Sequence, residues 1–81
     1  MTEDEFDLID ELYFVISYQE LKSQIGWEEN QLNQILKSLF DRGWVRLFED
    51  PDGTSDCEEW PDKLDGLFYL ASKAGLKAHN S

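Results

Sequence analysis

Four acids sit close to where a calcium loop would need them. With Gly53 taken as the tight-turn glycine, Asp50, Asp52, Asp56 and Glu59 fall at the third, fifth, ninth and twelfth positions of a twelve-residue loop of oxygen ligands. The first position, which such a loop fills with Asp, is Phe48, and strands rather than helices are predicted to flank the segment. The expectation is a solvated acidic loop, with no metal and no cofactor. Cys57 lies among the same carboxylates. Neighbouring negative charge disfavours a thiolate, so Cys57 reads as a poor nucleophile. His79 is the single histidine, close to an end expected to fray. The chain carries no Gly-rich phosphate loop and no Cys/His ligand set, so an enzyme is not expected.

The side chains suited to binding lie elsewhere. Asn30, Gln34, Lys37, Ser38 and Asp41 share one face of a predicted helix, with Gln31 and Asn33 at its margins. Asn and Gln can make paired hydrogen bonds to adenine in a major groove. The simpler expectation is a solvated amide-rich face. Trp60, followed by Pro61 within the acidic loop, is a candidate protein-binding anchor. Its favoured alternative is to fold back over an outer hairpin face made by Trp44, Phe48 and Phe68.

Local signals place these groups on elements. Thr2-Glu3-Asp4-Glu5 is a capping box, opening a first helix predicted to run to about Val15. Leu8, Leu12 and Val15, beside Ile9 and Ile16, form its apolar face. Ser17-Tyr18-Gln19-Glu20 repeats the pattern, with Ile16 and Leu21 placed as a hydrophobic staple, and Gly26 ends the short second helix. A third helix opens near Glu28 with core positions Leu32, Ile35, Leu36, Leu39 and Phe40, and closes at Gly43. Trp44 to Phe48 reads as a strand, and Asp50-Pro51-Asp52-Gly53 as a type I turn at a hairpin tip. The return strand, Leu67 to Ala71, is expected only after the acidic stretch Thr54 to Gly66. Ser72 is placed to cap a last helix from Lys73 to about Ala78.

Composition bounds the rest. The chain has 81 residues and a net charge of -11, with eleven aromatics and one Cys. This is the length of one domain, expected over residues 1–81, and such a domain buries only about 60% of its unfolded surface. The charge comes in blocks: -6 over residues 1–16, 0 over 17–48, -7 over 49–66 and +2 over 67–81. Two acidic blocks around a neutral centre repel phosphate and suit a basic protein partner. The acid also keeps a small domain soluble. A lone Cys, an acidic N-terminus and no membrane-length apolar run lead us to expect a complete cytoplasmic protein with no membrane contact.

The order of elements resembles the winged helix-turn-helix superfamily: three helices, then a two-stranded β-hairpin wing, here with a short C-terminal helix. The residues from Ile16 to Gly26 resemble its second helix and turn, and Leu32 through Arg42-Gly43-Trp44-Val45 resembles its third helix entering the wing. Asp50-Pro51-Asp52 and Ala71-Ser72-Lys73-Ala74-Gly75 are similar to the wing tip and following segment of its MarR-type branch. The resemblance covers most of residues 5–78 and implies a mostly helical α+β fold. It also implies DNA reading by the third helix, residues 28–42. DNA-binding members carry arginines at the wing tip, where this chain has Asp52, Gly53, Thr54, Ser55 and Asp56.

Two functions follow as expectations. The first is a non-enzymatic protein-interaction or transcription-accessory module. The second is a small dimeric DNA-binding transcriptional regulator. The candidate partner or nucleic-acid surface for either is Asn30, Asn33, Gln34, Lys37, Ser38 and Trp60. Phe6 and Tyr13, one heptad apart with Phe14 beside them, form a candidate homodimer surface. The alternative is that the C-terminal segment covers that face.

Overall fold

The computed structural model describes residues 1–80, which form four helices and a four-stranded antiparallel sheet. In chain order these are α1 (Glu3–Asp10), β1 (Ile16–Ser17), α2 (Tyr18–Ile25), α3 (Glu29–Asp41), β2 (Val45–Phe48), β3 (Asp56–Cys57), β4 (Phe68–Ala71) and α4 (Lys73–His79). Strand order is β1-β4-β2-β3. Among the described residues no helix is long and apolar enough to cross a membrane.

The starts of α1, α2 and α4 follow their caps, whereas α3 opens at Glu28 without a side-chain cap bond. Thr2 and Glu5 complete the reciprocal box on α1. Ser17 caps α2 by accepting from the Glu20 amide at 3.3 Å, and Ser72 caps α4 by accepting from the Gly75 amide at 3.0 Å. Gly26 ends α2 at φ +72°, a left-handed conformation that side chains disfavour.

The core joins Leu8, Ile9 and Leu12 to Leu32, Leu36 and Leu39 of α3, over the inner sheet face of Val45, Leu47, Tyr69 and Ala71. Val45 pairs with Ala71 and Leu47 with Tyr69 across β2 and β4, so one pleat face supplies all four. The same register sets Arg46 against Leu70 on the other face.

Three expectations are corrected. The first helix ends at Asp10, not near Val15. The Leu12 carbonyl leaves the helix to accept from the Ala71 amide at 2.8 Å, and Ile16 pairs with Tyr69 as β1. The run Tyr13-Phe14-Val15-Ile16 is aromatic and β-branched, which favours that extended exit.

The hairpin that β2 opens also returns at once. β3 pairs Cys57 with Leu47 and Asp56 with Phe48, before the long loop rather than after it. Asp50 closes the tip, its carboxylate accepting from the Thr54 and Ser55 amides at 3.0 and 2.8 Å and from the Thr54 hydroxyl at 2.7 Å. Those bonds, led by the Thr54 side chain and outweighing burial, hold the Asp50 carboxyl below its ordinary range. Arg46 braces the hairpin from its outer face, donating to Asp56 at 2.6 Å. The expected two-stranded wing is thus the centre of a four-stranded sheet.

Third, Trp60 does not cover the outer hairpin face. Phe48 is buried under its own tip, against Gly53, with the Arg46 guanidinium 5.1 Å from its ring. Trp44 has the Arg42 guanidinium at 5.0 Å. Trp60 packs on the helix side instead, its ring centroid 5.4 Å from that of Phe40.

Candidate functional site: a cleft between helix α3 and the acidic loop

After β3 the chain runs through Glu58–Leu67 before entering β4, and one stretch of it lies along α3. Two contacts hold it there. Trp60 tilts against Phe40, and the Tyr69 hydroxyl donates to the Leu64 carbonyl at 2.6 Å. Tyr69 is fully buried, and burial pushes its phenol far up, so it remains a donor at any physiological pH.

Between this loop and the helix lies a cleft of about 570 Å³, within the size range of ligand pockets. One wall is Glu29, Asn33, Gln34 and Lys37 of α3, and the other is Trp60 to Asp65. Tyr18, from the first turn of α2, contributes the floor. It is buried and donates its hydroxyl to Asn33 Oδ1 at 2.7 Å, which fixes that amide with its NH2 free to donate. Burial, then the charge of Glu29, raises the Tyr18 phenol, and Asp65 adds to the effect against the Asn33 bond. Carboxylates from both walls therefore act on one point of the floor.

Lys37 stands at the rim. Its ammonium donates to both Asp41 oxygens, at 2.6 and 2.7 Å, and lies 5.8 Å from the Trp60 ring centroid. Cations within about 6 Å of an aromatic centroid are attracted to the ring face.

Of the residues singled out from the sequence, Asn33, Gln34, Lys37 and Trp60 meet in this cleft. Asn30 is exposed in the first turn of α3, outside it. Ser38 does not join the outward face: its hydroxyl turns toward α1 and donates to Glu5 Oε2 at 2.8 Å. Tyr18, Glu29, Leu64 and Asp65 were not anticipated. Nothing local ties Tyr18 to Asn33, and the only signal was an aromatic at the start of a short helix.

Two of the four carboxylates at calcium-loop spacing are occupied otherwise, Asp50 by its own turn and Asp56 by Arg46. Among the described residues no three His, Cys, Asp or Glu groups converge as metal ligands. Cys57 is a free thiol, pushed up by burial first and then by Glu49 and Asp56.

The candidate homodimer surface is divided. Phe6 stacks on His79, centroids 4.1 Å apart at 19°, and the Tyr13 hydroxyl lies 2.9 Å from His79 Nδ1. The C-terminal helix thus partly covers both rings. His79, expected to fray, is in fact held, its side chain only 7% exposed and Nε2 3.6 Å from Asp10 Oδ1. Phe14 points away and is 84% exposed. Phe14→Ser is expected to change the unfolding free energy by no more than about 0.5 kcal/mol in urea titrations. A larger loss that grows with protein concentration would place a second copy on Phe14.

No protein-family model matches this chain, nor does any curated relative or solved structure.

Proposed function

We propose that the chain is a winged helix-turn-helix domain that serves as a non-enzymatic, cytoplasmic protein-interaction module, an accessory in transcription, with a basic protein as partner. The fold assignment draws support from the succession α1, α2, α3 and then the β2/β4 pair, with Gly26 turning α2 into α3 and Gly43 turning α3 into β2. One observation favours the interaction role over DNA reading. The amide-bearing face of α3, which a DNA reader must present to a groove, shares a cleft with the acidic loop, and Asp62 and Asp65 line the opposite wall. Phosphate approaching that helix meets carboxylates first. Phosphate contacts normally supply much of the affinity for DNA, and the nearby cations are few. Arg42 and Arg46 are engaged with Glu5 and Asp56, and Lys37 with Asp41.

Titration against mixed genomic DNA over a range of salt concentrations tests this. The expected result is no saturable binding even at low salt. Tight binding that weakens steeply with salt would remove the interaction reading and favour the DNA-binding regulator.

A further inference from the structure

We propose that the cleft between α3 and the Trp60–Asp65 loop is the docking site itself, and that it receives an arginine side chain from an extended basic segment of the partner, stacked beside Trp60 and held by Glu29 and Asp65. This rests on the protein-interaction reading and gives it a location and a chemistry.

The shape and the polar groups suit such an occupant. The cleft is open to solvent, between a helix face and a loop, so a side chain can enter it from outside. Its aromatic wall is Trp60 with Pro61, half-buried on Phe40, so an incoming side chain meets an ordered ring. Guanidinium is planar and weakly hydrated, and it stacks on aromatic faces while donating hydrogen bonds from its edge. Acceptors for those donors line the same space: Glu29 on α3, and Asp62 and Asp65 on the loop. Asn33 and Gln34 add amides able to pair with a peptide backbone.

The charge points the same way. The cleft's own cations are Lys37 and Lys63, and Lys37 is neutralised by Asp41. Lys22 reaches Glu29 only at 4.0 Å, from outside the cleft. Asp62 and Asp65 have no ion pair among the described residues, and Glu58 and Glu59 precede Trp60. The ring already attracts one cation, the Lys37 ammonium at 5.8 Å, near the outer limit for such contacts. A guanidinium seated in the cleft can approach it more closely.

The test uses the 81-residue protein and a capped pentapeptide, acetyl-Gly-Arg-Gly-Arg-Gly-amide, at low ionic strength. Its citrulline counterpart and spermidine serve as comparators. Binding is read by NMR at the Trp60 indole NH and the Asn33 and Gln34 side-chain amides. The expected result is saturable shifts at those groups with the arginine peptide and none with citrulline. E29Q/D65N should weaken binding about fivefold or more, whereas E3Q/D7N, which removes two exposed charges from α1, should change it by less than about twofold. Both variants must keep the dispersed spectrum of the folded protein. Equal weakening by the two variants, shifts spread over the acidic surface, or spermidine matching the peptide would each overturn the proposal. Its failure is distinguishable from failure of the broader reading: no cleft binding together with no DNA binding leaves an interaction module that uses another surface.

Discussion

Gly75→Ala is expected to lower the unfolding free energy by about 2–3 kcal/mol, against the usual sign for a glycine inside a helix. Alanine is normally the better helix former by about 1 kcal/mol. At Gly75 that gain is overridden by a close approach. A Cβ there would run into the Trp44 carbonyl oxygen, with Trp44 C at 3.0 Å and Cα at 3.2 Å. These are backbone atoms, and they cannot swing aside as a side chain does. The Trp44 oxygen is also fixed by accepting from the Ser72 amide at 3.0 Å, while the Ser72 hydroxyl donates to the Gly43 carbonyl at 2.6 Å. The start of α4 is thus bolted to the turn that ends α3. Thermal unfolding followed by far-UV circular dichroism should show a midpoint lower by roughly 10 °C or more, the usual scaling for a domain of this size. A stabilised variant would mean that α4 is not docked on Trp44.

The second large effect centres on Glu5, a carboxylate 2% exposed. It accepts from the Thr2 amide at 2.8 Å, the Ser38 hydroxyl at 2.8 Å and Arg42 Nη1 at 3.1 Å. The cap of α1 is therefore also the tie between α1 and the C-terminal half of α3. Glu5→Ala is expected to cost about 2–3 kcal/mol, because it leaves a cavity and strands a hydroxyl and a cap amide. Arg42 is partly exposed and can turn to water, which keeps the figure below that of a fully buried pair.

Burial pushes the Glu5 carboxyl up, but the Thr2 amide, the Ser38 hydroxyl and the Arg42 charge together bring it below its ordinary value of 4.5. A carboxylate lowered on folding adds stability that is complete above its unfolded value and lost as pH falls through the folded one. The gap in urea midpoint between the parent and Glu5→Gln should thus be widest near neutral pH and shrink progressively below about pH 4.5. A gap independent of pH would show that the charge contributes nothing beyond the hydrogen bonds.

How much of this could be read from the chain depends on how far each signal reaches. The starts of α1, α2 and α4 were legible because Thr2, Ser17 and Ser72 cap amides three residues ahead. The spacing of Leu32, Leu36 and Leu39 was legible for the same reason. β1 and β3 were not, because each is two residues long and exists only by pairing with a strand elsewhere. The end of α1 was misread because the Ala71 amide, distant in sequence, takes the Leu12 carbonyl. Asn33, Gln34, Lys37 and Trp60 were grouped in advance as part of one candidate surface, but the cleft they form with the loop was not legible. It depends on Tyr69 holding Leu64 and on Phe40 holding Trp60. Ser38 lay on the outward arc by helical counting, and only the Glu5 carboxylate turns it inward. His79 was misjudged because its partners, Phe6 and Tyr13, lie at the other end of the chain.

The strand order carries one more consequence. Both outer strands, β1 and β3, have two residues each, and the two four-residue strands lie between them. An exposed strand edge is a template on which a further chain can add, and a two-residue edge offers almost no ladder to copy. Protection against fibrillar stacking is therefore written into the strand order, independently of the chain's charge. It persists as pH approaches the isoelectric point near 4.2, where repulsion between copies fades.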